Sequence, residues 1–436
     1  MATYLLAATP VHGHVSPVLR VGAHLVERGH RVVMLTGSRF EAAVTARGLE
    51  FEPLSGRADF DDRDQDAYLP DRHSHTGLQR VQYEIRSIFV ETIPDQARSM
   101  RALIGRLDPD AILVDGAFAG VAPFLSAAGT DPATASRPPI LALGVTPLSQ
   151  SSRMLAPFGM AMFPAKNRLE QLRYRMLGAV ARRVLFRSTQ QAARKRVAEA
   201  GGVLRGFVMD SSRHYDSFLQ TGPEGLEYPR PDLGENTVFV GVLPQESADI
   251  TEPAWWGDLD GGRPVIHVTQ GTIDNGDFDR LVRPTFEALR DLDCIVVATT
   301  GGREVDALGE LPDNARAASY LSYADLLPRA SIVITNGGYG GVQAALAHGV
   351  PVIVAGTTEE KPEVAARVQW SGAGINLRTG TPTPEQIRGA VRSILESTKY
   401  THAARMLADQ AAAHNTLAEI ETEIRLAHLA YRATTR

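Results

Sequence analysis

The sequence predicts two α/β domains, each a doubly wound, Rossmann-like and mostly parallel sheet, facing one another across a cleft. Three observations carry this expectation. Short continuous apolar runs alternate with amphipathic helical stretches from the first residues onward. The alternation lapses around 238–262 and then restarts. Several of the apolar runs end in glycine, which lets a ligand approach the backbone closely at a strand end. The chain has 436 residues, more than one core ordinarily serves and suited to two units of about 200.

Taken in order, "TYLLAATP" reads as a buried strand. "PVLRVGAHLVERGH" has apolar residues at helical spacing, begins just after Ser16-Pro17 and stops at Gly29. "RVVMLTG" is the next strand, and "RFEAAVTARG" a helix closed by Gly48. "DAILVDG", the helix "FAGVAPFLSAAG" and the strand "PPILALGV" continue the pattern to about residue 145. Residues 55–77 are polar and read as a loop. Residues 146–164 mix Met and Phe with Pro and Ser. Residues 166–200 carry ten Lys or Arg against two Glu and read as helices with a solvated basic face. Residues 238–262 mix Pro, Gly and acidic residues after a short strand and are assigned as the linker between an N-terminal domain, 1–237, and a C-terminal domain, 263–400. In the latter, "PVIHVTQG", "CIVVATTGG", "SIVITNGG" and "VPVIVAG" are strands, each followed by helical patterns. The tail, 401–436, is strongly helical and is expected to pack back towards the first domain.

Composition narrows the function. Hydrophobic residues make up 44% of the chain and charged residues 22%, which fits a globular fold. A net charge of −5 and a basic stretch poor in aromatics argue against nucleic acid as partner. No apolar run is long enough to span a bilayer, so stable membrane insertion is not expected. The single cysteine, Cys294, lies in the strand "CIVVATT" and reads as a small buried residue; it excludes an intramolecular disulfide framework and fits the cytoplasm.

Open parallel sheets bind ligands beyond the carboxyl ends of their strands, so the residues there matter most. "SIVITNGGYGGVQAALAHG" sets Asn336, Gly337, Gly338, Gly340 and Gly341 between a strand and a helix. Backbone free of side chains next to a helix N-terminus makes a diphosphate seat; a tight turn packed on its sheet is the competing reading. "HVTQGT" adds a second turn, with Thr272 as a donor. Tyr320 and Tyr323 are candidates to stack on a nucleobase, and either alone is as easily a packing residue. Glu359, Glu360 and Lys361 lie where another strand meets a helix; acidic residues there are ordinary helix-favouring first-turn charges or, in a cleft, acceptors for sugar hydroxyls. In the first half, "ATPVHGHVSP" puts His12 and His14 in the first strand-to-helix turn, and Asp115 ends the strand "DAILVD". A His with an ordinary pKa of about 6.5 and an Asp on a neighbouring strand end form the orienting pair of base-assisted activation. "DFDDRDQD" contains an Asp-x-Asp but lies in a polar loop of the first domain, so it reads as a solvated acidic loop, and no metal is expected.

"GHVSP" with "LVERGHRV", the strand ending in Asp115, "VTQGT" and "NGGYGGVQAALAHGVPVIVAGTTEEKPEVAARV" together resemble the GT-B glycosyltransferases. The likeness is to the nucleotide-sugar-dependent natural-product and macrolide glycosyltransferases of bacteria, and it runs through nearly the whole chain. The resemblance implies inverting, metal-independent transfer of glucose or a deoxysugar from UDP-glucose or a dTDP-sugar, a co-substrate rather than a cofactor, to a hydroxyl of a hydrophobic acceptor. His14 matches the catalytic base and Asp115 its partner. The donor site falls on Thr272, Tyr320, Tyr323, Asn336, Gly337, Gly338, Gly340, Gly341, Val342, Glu360 and Lys361. The acceptor pocket is expected between 55–100 and 146–165, with Met154, Phe158, Met160 and Met162 supplying adaptable apolar contact.

Departures from the family pattern cluster at the donor. Asn336 stands where a His is usual, Val342 where Ser or Thr is, and Ala344 where a Glu meets the ribose. Tyr320-Leu321-Ser322-Tyr323 replaces Trp-x-Pro-Gln, and Glu360-Lys361 replaces an acidic-Gln pair. Two other functions compete: a nucleotide-sugar epimerase on the same fold, which would want several carboxylates at the sugar, and a non-catalytic binder of sugar nucleotides. Oligomeric state is left open.

Overall fold

The computed structural model describes residues 1–125, 137–245, 252–272 and 274–435. The end of the expected helix 118–129 and the middle of 238–262 lie outside the described residues.

Two parallel sheets form. The first contains β1 (Thr3–Ala7), β2 (Arg31–Thr36), β3 (Glu50–Pro53), β4 (Ala111–Asp115), β5 (Ile140–Gly144), β6 (Ser217–Gln220) and β7 (Thr237–Phe239), in the order β3-β2-β1-β4-β5-β6-β7. The second contains β8 (Val265–Thr269), β9 (Ile295–Thr299), β10 (Ala315–Ala318), β11 (Ile332–Thr335), β12 (Val352–Val354) and β13 (Gly374–Asn376), in the order β10-β9-β8-β11-β12-β13. Side chains alternate across each sheet. Leu5, Val33, Ile112 and Ile140 enter one core of the first sheet, while Leu6, Met34, Leu113 and Leu141 enter the other. Burial on both faces is why these strands read as unbroken apolar runs. Cys294 is buried in the core of the second sheet, beside Val296.

Four strands carry no strong sequence signal: β3, β6, β10 and β13. β3, β10 and β13 are edge strands with half-exposed or short patterns, where the apolar run is lost, and β6, four residues long, lies next to the edge strand β7. A correction concerns the linker. Val238 and Phe239 belong to β7 and pair with β6, so the first sheet continues past 237. The connection to β8 therefore begins after the bridge that Gly241 makes with Gly222.

The helix after β1 is a second correction. It runs His12–Glu27, starting five residues before Pro17, which lies inside it. Its N-terminus is held by a residue distant in sequence: Asp62 Oδ2 accepts from the His12 backbone N–H at 2.7 Å. A carboxylate there satisfies one of the orphan donors and complements the helix dipole. The same contact corrects the reading of the acidic loop as merely solvated. Asp62 is buried, Asp59 accepts from the backbone N–H and hydroxyl of Ser38, and Asp61 pairs with Arg63.

The tail divides. Helix Thr398–Ala412 buries Ala404 and Leu407 against helix Tyr339–Ala347 of the second unit. Helix Thr416–Thr435 crosses to the first, where Ile420 and Ile424 enter the core beneath β1 and β4. Burying two isoleucines is worth about 3–6 kcal/mol as an upper bound. No helix among the described residues is long and apolar enough to cross a membrane.

Candidate active site

Strand order reverses direction once in each sheet, between β1 and β4 in the first and between β8 and β11 in the second. At such points the loops diverge and leave a crevice. His14 follows β1 and Asp115 ends β4; Gly271–Thr272 follow β8 and Asn336–Gly341 follow β11. His14, Asp115, Thr272 and the glycine turn thus lie at the two switch points, while Tyr320 and Tyr323 follow β10 and Glu360 and Lys361 follow β12.

His14 sits in the first turn of its helix, where side chains point back towards the sheet. Its Nδ1 lies 2.9 Å from Asp115 Oδ1. Asp115 is fully buried and also accepts from the backbone N–H groups of Thr9, at 2.7 Å, and Ala117, at 2.7 Å. Three groups meet its two oxygens, two of them backbone N–H donors, so it acts as acceptor towards the ring as well and Nδ1 carries the proton. The lone pair of the neutral ring is left on Nε2. Burial pushes the His14 pKa down, but the charge and hydrogen bond of Asp115, with the carboxylates of Glu360 and Glu359, outweigh it, and the net direction is up. Glu359 and Glu360 follow β12, so carboxylates from the second sheet's loops act electrostatically on the histidine of the first. Burial, and then the charge of Glu359, raise the pKa of Glu360 itself. Phe89 packs near the His14 ring, centroid to centroid 6.1 Å.

Four glycines follow β11, and they do two different jobs. Gly337 has φ +95°, and a Cβ there would lie 2.7 Å from Val354 Cγ1; it makes the tight turn. At Gly338, Gly340 and Gly341 a Cβ would meet nothing within 4 Å. These three line open space beside the N-terminus of helix Tyr339–Ala347, whose first-turn N–H groups point the same way. That is a cradle approached by backbone. Asn336 is not aimed into it. Its Nδ2 donates to the Gln270 carbonyl at 2.5 Å, tying the β11 turn to the β8 turn. Val342, expected at the donor, is fully buried in the core, because it lies one position past the cradle on the inward face. Thr272 is exposed, next to Gly271 at φ +71°.

The tyrosines separate likewise. Tyr320 is half exposed, its ring against Gly302, and presents a face to solvent. Tyr323 turns inward: its hydroxyl lies 3.3 Å from His267 Nε2 and its ring meets the imidazole edge-on. Tyr323 therefore packs rather than offering a stacking face. Lys361 is buried, its Nζ donating to Glu359 Oε2 at 2.6 Å, Thr358 Oγ1 at 3.1 Å and Asp274 Oδ2 at 3.3 Å. It holds Glu359 at the cleft, where that residue takes φ +56°.

A cavity of about 260 Å³ opens between the 146–164 segment and helix Arg168–Val180, lined among others by Leu155, Phe158, Met162, Tyr174, Phe186 and Met209. Phe158 and Met162 of the expected acceptor residues line it. Met160 does not and is exposed, and Met154 is turned so that its sulfur accepts from Gln171 Nε2. Neither His14 nor Asp115 is among the lining residues of this cavity.

One set of residues escaped the sequence reading. Arg367, on helix Lys361–Ser371, is 1% exposed and pairs with Glu227 at 2.9 Å and Glu363 at 2.7 Å. It also donates to the Leu148 carbonyl at 3.2 Å, and Glu363 accepts from the backbone N–H groups of Gly159 and Ala161. Tyr339 and Gln343, from the helix of the cradle, reach Thr221 in the first unit. These contacts fix the two halves against each other around the cleft. The signal was present in "EVAARVQ", a charge set among Ala and Val on a helix face that must be buried.

Comparison with known proteins agrees with this geometry. Residues 5–131 match the glycosyltransferase family 28 N-terminal domain, and residues 283–426 match the erythromycin biosynthesis protein CIII-like C-terminal domain. A relative from Lentzea aerocolonigenes, 4'-demethylrebeccamycin synthase, is 38% identical and covers 94% of this chain and 96% of its own length. UDP-glucosyltransferase A1 of Starmerella bombicola is 34% identical over 96% of this chain and 91% of its own length. Among solved structures, the glycosyltransferase of kitacinnamycin superposes with a TM-score of 0.70 over 99% of this chain and 98% of that one, at 21% identity, which speaks for the fold. The chain belongs to the GT-B glycosyltransferases of the natural-product type, enzymes that transfer a sugar from a nucleotide-sugar donor.

Proposed function

We propose that the protein catalyses inverting transfer of glucose or a deoxysugar from a UDP- or dTDP-sugar to a hydroxyl of a hydrophobic natural product, with His14 as general base and Asp115 as its positioning partner. The observation that carries this reading is the buried His14–Asp115 pair at the first switch point, facing carboxylates from the second sheet. The acceptor hydroxyl gives its proton to His14 Nε2 as its oxygen attacks the anomeric carbon. The bond from that carbon to the diphosphate oxygen breaks on the opposite side, so the anomeric configuration inverts. Asp115 fixes the tautomer and stabilises the imidazolium that forms. The leaving diphosphate rests on the first-turn N–H groups beyond Gly338, where donors aimed at developing charge do the work a divalent cation does elsewhere. Tyr320 offers the stacking face for the base, and Glu360 meets the sugar. The acceptor's apolar body is received by the 146–164 segment through Phe158 and Met162. The proposed reaction needs no divalent cation, because backbone donors take its part at the diphosphate. The single buried thiol supports a cytoplasmic setting.

The test is incubation with UDP-glucose and dTDP-sugars against a panel of hydroxylated polycyclic and macrolide acceptors. Products gain the mass of one hexose or deoxyhexose, with the anomeric proton in the inverted configuration. Retained configuration, or a His14→Ala enzyme with more than about a third of wild-type turnover where chemistry limits the rate, overturns the assignment, because general-base catalysis is worth about 10²–10⁴-fold.

A further inference from the structure

Helices on a protein surface ordinarily turn their apolar stripe inward. Helix Arg168–Val180, with the wider turn Ala181–Leu185 that prolongs it, does the reverse. Its buried side chains are Tyr174 and Ala181 alone. Leu169, Leu172, Met176, Val180 and Val184, spaced three, four, four and four residues apart, are 77%, 52%, 63%, 47% and 65% exposed. That spacing sets them in one row along the outer side. A second helix, Gly77–Ile85, adds Leu78 and Val81, both exposed, and Gln82 Nε2 donates to the Leu185 carbonyl at 2.6 Å, which joins the two into one patch. The patch carries Arg168, Arg173, Arg183 and Arg187, all exposed and none in an ion pair among the described residues, while Arg175 and Arg182 line the cavity on the inner side. Uncompensated positive charge is concentrated here on a chain whose net charge is −5.

We propose that this surface docks peripherally onto an anionic lipid bilayer, the leucines, Met176 and valines entering the headgroup boundary while the arginines meet lipid phosphates. An exposed apolar row flanked by basic residues is the composition such docking needs. A second copy of the chain is disfavoured as occupant, because it would set one arginine rim against another. Nucleic acid is disfavoured because the row is aliphatic and offers no ring to stack on. The inner side of the same helix, through Tyr174 and Gly178, lines the 260 Å³ cavity, so docking brings that cavity to the layer in which a hydrophobic acceptor dissolves.

The experiment is co-sedimentation of the full chain with phosphatidylcholine vesicles, with and without phosphatidylglycerol, at low and high salt. Binding is expected to the phosphatidylglycerol vesicles, weakened by salt. Leu172→Asp with Met176→Asp should lower the partition coefficient at least about tenfold, and Arg173→Glu with Arg183→Glu should do the same without touching the apolar row. All four positions are exposed, so melting temperature and turnover of a soluble acceptor should stay as in the wild type. Absence of binding, equal partition of the variants, or equal binding to phosphatidylcholine alone overturns the proposal. So does a wild-type dimer in sedimentation velocity that Leu172→Asp/Met176→Asp converts to monomer, which would mark the patch as a self-association face.

Discussion

Replacing Asp115 by Asn probes the catalytic pair most directly, because the structure dictates what must go wrong. The carboxylate accepts from three groups: Thr9 N–H, Ala117 N–H and His14 Nδ1–H. An amide offers one oxygen and one NH₂. With its oxygen towards Thr9, the NH₂ faces Ala117 N–H and His14, and the ring must move its proton to Nε2, the position from which it is to act as base. With its oxygen towards His14 and Ala117, the tautomer survives but Thr9 N–H faces a donor, and the negative charge that stabilises the imidazolium is gone. Either way a buried N–H loses its acceptor, a cost of about 1–3 kcal/mol in stability. The rate loss should be about 10²–10⁴-fold, or about 2.7–5.5 kcal/mol in the barrier. The pH profile adds an independent readout. The base works when neutral, so wild-type activity should rise with pH through a His14 pKa that lies above its ordinary value. In Asp115→Asn the influence that raises it is removed while burial still lowers it, so the acid limb should move to lower pH. Single-turnover rates across pH at saturating donor, with melting curves for both proteins, decide the matter. Turnover above about a third of wild type, or an acid limb that stays in place, would refute the assignment of Asp115 as the partner of His14.

Other outcomes follow from the same geometry. Gly340→Leu should fold with an unchanged or higher melting temperature, since its Cβ meets open space and Gly is a poor helix former by about 1 kcal/mol; calorimetry should nonetheless show at least about tenfold weaker UDP binding, and unchanged affinity would remove the diphosphate from this cradle. UDP and dTDP should bind within about a hundredfold of each other, or about 2.7 kcal/mol, because Ala344 is a buried core residue with no group to sense a ribose hydroxyl; a larger preference in the same calorimetry would point to a reader not yet identified. Arg367→Met leaves Glu363 buried with only backbone donors and Glu227 with Arg230 as its remaining cationic partner, and should cost about 3 kcal/mol, the lower end for a broken buried pair, seen as a fall in melting temperature. Glycosyl transfer should persist in EDTA; complete loss, restored by magnesium or manganese, would contradict the backbone-donor reading of the diphosphate seat.

The two parallel sheets and the glycine cradle after β11 were legible in the sequence because each is a local pattern, and His14 and Asp115, though far apart along the chain, because each stands at the carboxyl end of an apolar strand, where ligands bind. Unbroken β-branched runs require burial on both faces, and glycines at strand ends announce backbone approach whatever lies across the cleft. What escaped depended on partners far along the chain. Helix His12–Glu27 could begin before Pro17 because Asp62, fifty residues on, holds its first N–H. The Asn336 amide bonds the Gln270 carbonyl and the Tyr323 hydroxyl lies against His267, and spacing could not foretell those neighbours. The buried Arg367 cluster exists only once Glu227 of one unit meets helix Lys361–Ser371 of the other. The apolar row Leu169–Val184 shows why periodicity alone misleads: it marks that one face differs from the other, while only the packing of Tyr174 and Ala181 decides which face is turned to solvent.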